Sequence, residues 1–205
     1  MTTGMGSLSP AIRAVLPQHR RYVVRHAQCL GNAQDRIVGQ REYPLTSQGY
    51  AQARQAAELI WRRERVTAVY SSDLLPARET ARIIAGLLGL DVVVDADLRE
   101  QSFGRLEGMR RADMDFSTAE RRHLNEVHWG GGESVAEVHA RVERFLGSLP
   151  EGDGDVVIVS HLHTIQIALS ALRGRDHRSI DWVELPSGGI VVAPALSMEA
   201  VPKTA

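Results

Sequence analysis

The sequence predicts an α/β fold, a three-layer α/β/α sandwich whose mostly parallel central sheet carries a small helical insertion. Three observations predict it. Short apolar β-type runs alternate along the chain with longer segments of helical period, the pattern of strands joined by crossover helices. Val156-Val157-Ile158-Val159 is apolar throughout instead of alternating, as a strand covered on both faces must be. Two such runs, Tyr22–Val24 and Val156–Ser160, each lead into a histidine, His26 and His161, and in open α/β sheets the carboxyl ends of strands are where ligands bind.

In chain order, residues 1–18 are rich in Gly, Ser, Thr and Pro and read as a flexible leader. The main domain spans 19–195. Arg20–Arg25 is the first strand. Thr46 is placed to cap a helix whose apolar face is Ala53, Ala56, Ala57 and Ile60. Ala68–Ser71 is the second strand, followed by a helix from about Pro76 to Leu88 that stops at Gly89. Val92–Asp95 is a short third strand. Ser134 and Glu137 form a capping box, and Val135, Val138, Val142, Phe145 and Leu146 give the apolar stripe behind it. Val156–Ser160 is the central strand, and Thr164–Leu172 the helix after it. Trp182–Leu185 and Gly189–Ala193 read as two closing strands, and 196–205 as a flexible tail. Residues 109–130 fit this pattern poorly. They carry Arg110, Arg111, Arg121, Arg122, His123, His128 and Trp129, and read either as a solvated helical insertion or as a lid over a site.

Composition bounds the chemistry. The 205 residues suit one domain with a sizeable core, and 43% hydrophobic with 24% charged residues is ordinary for a globular chain. A net charge of −1 gives no case for binding nucleic acid or an anionic membrane. Cys29 is the only cysteine, so no intrachain disulfide or zinc-thiolate cluster forms. No segment approaches the roughly 18 apolar residues of a membrane span, and 1–19 lack the pattern of a signal peptide. The expected location is cytoplasmic. Lys203 is the only lysine among 24 basic Lys and Arg residues. A P-loop is thereby excluded, since Gly130-Gly131-Gly132 runs into Glu133. Lysine Schiff-base chemistry is disfavoured too, which leaves histidine, carboxylate and arginine to do the work.

A lone buried histidine is commonly a core residue. Two at equivalent strand ends, the first beside Arg25, point instead to a site for an anion. Around them stand Arg25-His26-Ala27-Gln28 with Asn32; Gly39, Pro44-Leu45-Thr46 and Gly49; and Ser71-Ser72-Asp73-Leu74 with Thr80-Ala81. Then follow Leu98-Arg99-Glu100, Phe103-Gly104 and Leu106-Glu107-Gly108; Gly132-Glu133-Ser134; and Val159-Ser160-His161. In this order the blocks resemble those of the histidine phosphatase (phosphoglycerate mutase-like) superfamily, phosphatase branch, from about Arg20 to about Ala193. The resemblance implies a two-step phosphoryl transfer. His26 attacks phosphorus and becomes phosphohistidine, and water then attacks the same atom. Arg25, His161 and Asn32 bind the phosphoryl oxygens, and Glu100 protonates the leaving oxygen. Imidazole is nucleophilic at neutral pH without a base, and phosphoryl transfer asks chiefly for positioning and positive donors. A general acid asks for a carboxyl of raised pKa; as a surface residue Glu100 would simply pair with Arg99.

The chain departs from the family at three places. The glycine after the nucleophile is Ala27, tolerable if its φ is negative. The Gly-Gly pair after the second histidine is Leu162-His163. Leu162 narrows the pocket or covers backbone amides, and His163 adds a donor or sits as a partly buried polar residue. Most seriously, the second phosphate-binding arginine falls on Pro76, which suits a first helical turn but clamps no oxyanion. Arg78 is the nearest substitute, two residues on and so rotated by roughly 200°; the 109–130 insertion is another source of the missing cation. His161 and His163 resemble a metal pair without a third ligand, so no metal and no cofactor are expected. The expected function is hydrolysis of a small phosphorylated metabolite through phosphohistidine. Alternatives are a relative that binds an anionic ligand or does non-phosphoryl acid/base chemistry, and mutase-type transfer. The expected partner is a small phosphorylated or anionic substrate, with no nucleic acid and no membrane; a homodimer is left open.

Overall fold

The computed structural model describes residues 20–63, 65–113, 124–150 and 154–194. The leader, the tail and 114–123, which hold Arg121, Arg122 and His123, lie outside them. The elements are β1 (Arg20–Arg25), a single turn α1 (Leu30–Ala33), α2 (Ser47–Trp61), β2 (Val66–Ser71), α3 (Leu75–Leu88), β3 (Val92–Val94), α4 (Val135–Ser148), β4 (Asp155–Ser160), α5 (Leu162–Ala171) and β5 (Ile190–Pro194). The sheet order is β3-β2-β4-β1-β5. All neighbours run parallel except β5, which returns antiparallel to β1.

Side-chain alternation along the strands builds the layers. Tyr22 and Val24 of β1, with Val157 and Val159 of β4, face Ala56, Ala57 and Ile60 of α2 and Ala77, Ala81, Ile84 and Ala85 of α3. Val23 faces the other way, toward Ile165 and Leu169 of α5, and Ile158 packs with Leu98 and Phe145 of α4. The fold is thus the expected three-layer sandwich. Each fully buried aliphatic side chain contributes about 1.5–3 kcal/mol, and small alanines on α2 and α3 let both helices approach the sheet.

The caps follow the sequence. Thr46 accepts from the Gly49 amide at 3.0 Å, Ser134 and Glu137 close a capping box, and α3 ends at Gly89 with φ 69°, a conformation that only glycine adopts cheaply. Gly49 is required for another reason: a Cβ there would lie 2.1 Å from the Gln28 carbonyl oxygen.

One expectation is corrected. Residues 182–185 form no strand. Their carbonyls are used by side chains instead, Val183 O by Gln166 at 2.6 Å and Leu185 O by Arg25 at 2.6 Å, so no ladder partner is needed. The insertion shows only three-residue 3₁₀ turns among its described residues, at Arg111–Asp113, Leu124–Glu126 and Trp129–Gly131. No helix among the described residues is long and apolar enough to cross a membrane.

Candidate active site

The sheet order makes the site. From β1 the chain crosses to β2 by way of α2 on one face, whereas from β4 it crosses to β5 by way of α5 on the other. β1 and β4 are neighbours, so their carboxyl ends border the crevice at a topological switch point. Their register pairs Arg25 with Ser160, and the His26 amide donates to Ser160 O at 2.8 Å. The two histidines that follow these strands therefore meet, with ring centroids 4.9 Å apart. A cleft of about 430 Å³ opens above them. It is lined by Arg25, His26, Asn32, Glu100, His161, Leu162 and His163, all expected from the sequence, and also by Arg111, Phe103 and Trp182.

Hydrogen bonds set the roles. His26 is 3% exposed and its Nδ1 lies 2.8 Å from Ala27 O. A carbonyl only accepts, so Nδ1 carries the proton and Nε2 keeps its lone pair. Burial, reinforced by Arg25 and partly offset by the Ala27 carbonyl and Glu100, pulls the imidazole pKa down to about 4. The nucleophile is neutral at physiological pH. Ala27 is buried and holds a negative φ, since Asp35 is the only non-glycine with positive φ among the described residues. Its amide donates to Thr80 Oγ1, which donates to Pro76 O.

His161 is fully buried, and burial, with His26 second, pulls its pKa down to about 3. Its Nε2 lies 2.9 Å from Ser72 Oγ. Ser72 Oγ accepts the Leu74 amide at 3.2 Å and keeps a proton and a second lone pair, so it can serve either tautomer; with the hydroxyl donating to Nε2, His161 carries its own proton on Nδ1. That Nδ1 is buried without a partner, as is Arg25 Nε, although Arg25 Nη1 is tied to Leu185 O. Buried donors without acceptors are rare and costly. Both belong to residues that line the cleft with His26, and an oxyanion there would satisfy them. Asn32 accepts from the Cys29 amide and thiol through Oδ1, which leaves its Nδ2 end as a donor.

Glu100 corrects an expectation. Its Oε1 accepts from the amides of Gln101 at 3.0 Å and Thr164 at 3.2 Å and from Thr164 Oγ1, and its Oε2 from the His163 amide at 3.4 Å. The amides that open α5 thus hold this carboxylate. Burial pushes the carboxyl up, but the His163 and His161 imidazoles and these amides outweigh it and leave the pKa at about 2. The shift is downward where an upward one was expected, and it owes part of its size to a His161 charge that exists only below about pH 3. Arg99, its supposed surface partner, pairs instead with Asp73.

Arg78 is a second correction. It does not line the cleft; its charge acts on Asp73, as the rotation away from Pro76 requires. The insertion supplies Arg111 instead, whose Nε lies 3.5 Å from Asp35 Oδ1. Its backbone is fixed through its amide to Asp35 O and through Ile37 N to Met109 O. Sequence reasoning missed Gln101 and placed Trp182 in a strand, and no motif spacing marks either for the cleft. Ser72 and Thr80 stand in an ordered block, but their roles beside His161 and the Ala27 amide come only from the fold.

Residues 21–195 match the histidine phosphatase superfamily (branch 1), and the chain belongs to that superfamily. It is 39% identical over 162 residues to a protein of Enterobacter sp. (strain 638) called probable phosphoglycerate mutase GpmB, covering 75% of this chain and 74% of that one. The homologue from Salmonella choleraesuis is 37% identical over 164 residues, with the same coverage. Among solved structures, a mycobacterial glucosyl-3-phosphoglycerate phosphatase complexed with VO3 superposes with a TM-score of 0.73 at 29% identity, covering 85% of this chain and 92% of that one. A Thermus thermophilus protein gives 0.65 at 32% identity, covering 84% and 92%.

Proposed function

We propose that the protein is a phosphatase that hydrolyses a small phosphorylated metabolite through a phosphohistidine on His26. One observation carries the reading: a neutral imidazole with a free Nε2 shares its cleft with Arg25 and His161, each of which keeps a buried nitrogen without a partner, Nε and Nδ1. Such donors are satisfied by the oxygens of a tetrahedral phosphoryl group and gain strength as charge spreads over them in transfer. Arg111 takes the part of the cation absent at Pro76. The organic part of the ester lies against Phe103, Leu162 and Trp182. A cytoplasmic location belongs to this reading.

Mutase-type transfer is the second reading, supported by the name of the GpmB relatives. Pro76 supports the third, a pocket turned to an anionic ligand or to non-phosphoryl chemistry. Rapid quench with labelled phosphomonoester is expected to trap acid-labile, base-stable label on the wild type and none on His26→Ala. Equal turnover by the two proteins would remove the nucleophile. Conversion of 3-phosphoglycerate without release of phosphate would favour the mutase.

A further inference from the structure

We propose, resting on the phosphatase reading above and deepening it, that the substrate is the phosphate monoester of an apolar alcohol bearing an aromatic ring, and that Trp182 selects it.

The cleft has room for much more than a phosphoryl group. At about 430 Å³ it falls within the roughly 300–1,000 Å³ of sites that enclose small organic ligands. Two of the chain's three tryptophans, Trp129 and Trp182, line it together with Phe103 and Leu162. Phe103 and Trp182 each meet the His163 ring edge-on, both with centroids 5.5 Å away. Three rings thus join into one aromatic run, a large apolar surface on which a further ring can stack or stand edge-on.

Most polar side chains of the same cleft are already engaged. Gln101 donates through Nε2 to Glu133 O at 2.8 Å and faces His163 Nδ1 with Oε1 at 3.3 Å. Asn125 donates through Nδ2 to His177 O at 2.6 Å. Glu100 is held by three backbone amides. Arg25, Arg111, Asn32 and His161 are the donors for the phosphoryl oxygens. The hydroxyls of a sugar or polyol find few groups left to meet them, and a hydroxyl stripped of water without a new partner weakens binding. An apolar ring loses no hydrogen bond on entering and gains by leaving water.

Trp182 is 49% exposed, yet the backbone on either side of it is fixed. The Asp181 amide donates to Ser170 Oγ at 3.0 Å, and Val183 O accepts from Gln166 at 2.6 Å. Three residues on, Leu185 O accepts from Arg25 Nη1, so the loop that carries the indole also braces the arginine at the phosphoryl end. An indole held half in water in the wall of a cleft offers its face to a ligand, and its backbone is ordered before the ligand arrives.

The test uses esters of primary alcohols, so that the departing group is always an alkoxide and only the organic part changes: 2-phenylethyl phosphate, glycerol 3-phosphate and 3-phosphoglycerate. The wild type should cleave 2-phenylethyl phosphate with a kcat/KM about 10–100-fold above either of the others, the range that an apolar pocket reaches. Trp182→Ala should cut that ratio by about tenfold, through KM more than kcat, the mark of binding lost equally in ground and transition states. Trp182→Phe, which keeps an aromatic face, should retain most of it. Calorimetry with 3-phenylpropylphosphonate and 3,4-dihydroxybutylphosphonate, whose P–C bonds resist hydrolysis, should show the same preference without turnover. Equal cleavage of the three esters, a preference for glycerol 3-phosphate or 3-phosphoglycerate, or a ratio that Trp182→Ala does not change overturns the proposal and leaves the phosphatase reading standing. Wild-type protein that cleaves none of the esters, yet binds the phenyl phosphonate more tightly, defeats the phosphatase reading and keeps the aromatic ligand.

Discussion

Pro76 stands in the first turn of α3, buried, and is joined to the nucleophile's neighbour through Thr80 and the Ala27 amide. Its missing N–H costs nothing there, because the first amides of a helix have no intrahelical partner. Replacement by arginine is expected to cost about 0.5–1 kcal/mol through the unfolded chain and to leave the fold intact. A guanidinium at this point offers a bidentate grip on an oxyanion. Pro76→Arg should therefore bind vanadate about tenfold more tightly in calorimetry, as one charge-assisted contact is worth roughly 1.5–3 kcal/mol before desolvation. Unchanged affinity in a folded variant would mean that the pocket is built around proline, and would favour the non-phosphoryl reading.

Among elements, the start of the insertion and the start of α5 carry the most functional weight. Arg111 reaches the cleft from a segment pinned to 35–37 by backbone hydrogen bonds, and its partner Asp35 holds a positive φ of 50°. The pair is long at 3.5 Å and exposed, so it contributes little stability and is readily exchanged for a phosphoryl group. Arg111→Gln should weaken vanadate binding and raise KM by about 10–100-fold, in the range expected for losing one cationic contact. Arg110→Gln, which does not line the cleft, should leave both unchanged. Equal effects of the two would reduce Arg111 to bulk charge. A structural control belongs to α4: Ser134→Ala removes the capping hydroxyl that accepts from Glu137 and should cost about 1 kcal/mol in a urea melt, with activity per folded molecule kept.

At the scale of the whole molecule, the buried histidines tie stability to pH. His26 and His161 titrate in the unfolded chain near 6.5 but at about 4 and about 3 when folded. Between pH 6.5 and these values the unfolded chain binds protons that the native site refuses, so stability is fully present above pH 6.5 and falls as the pH drops through this window. Glu100, lowered from 4.5 to about 2, acts with the same sign in a lower window, its contribution being lost between those values. Thermal melts should show Tm declining from pH 6.5 to 4, and His161→Gln should flatten that decline. A Tm that is constant over this range would mean that the imidazoles are not buried neutral.

Local pattern determined much of this protein. Apolar runs, capping residues and Gly89 place the strands and helices, because those signals act within a few residues of themselves. Arg25, His26, Glu100 and His161 were legible because they stand in ordered blocks at element ends. The charge state of Glu100 was not, since it depends on amides of His163 and Thr164, more than sixty residues away along the chain. Nor was the choice of Arg111 among the insertion's arginines to line the cleft, or the use of 182–185 as hydrogen-bond acceptors instead of a strand. These are decided by which elements become neighbours. Sequence states what each residue can donate, accept or bury; only the packed sheet, with β1 beside β4 at the switch point, decides who receives it.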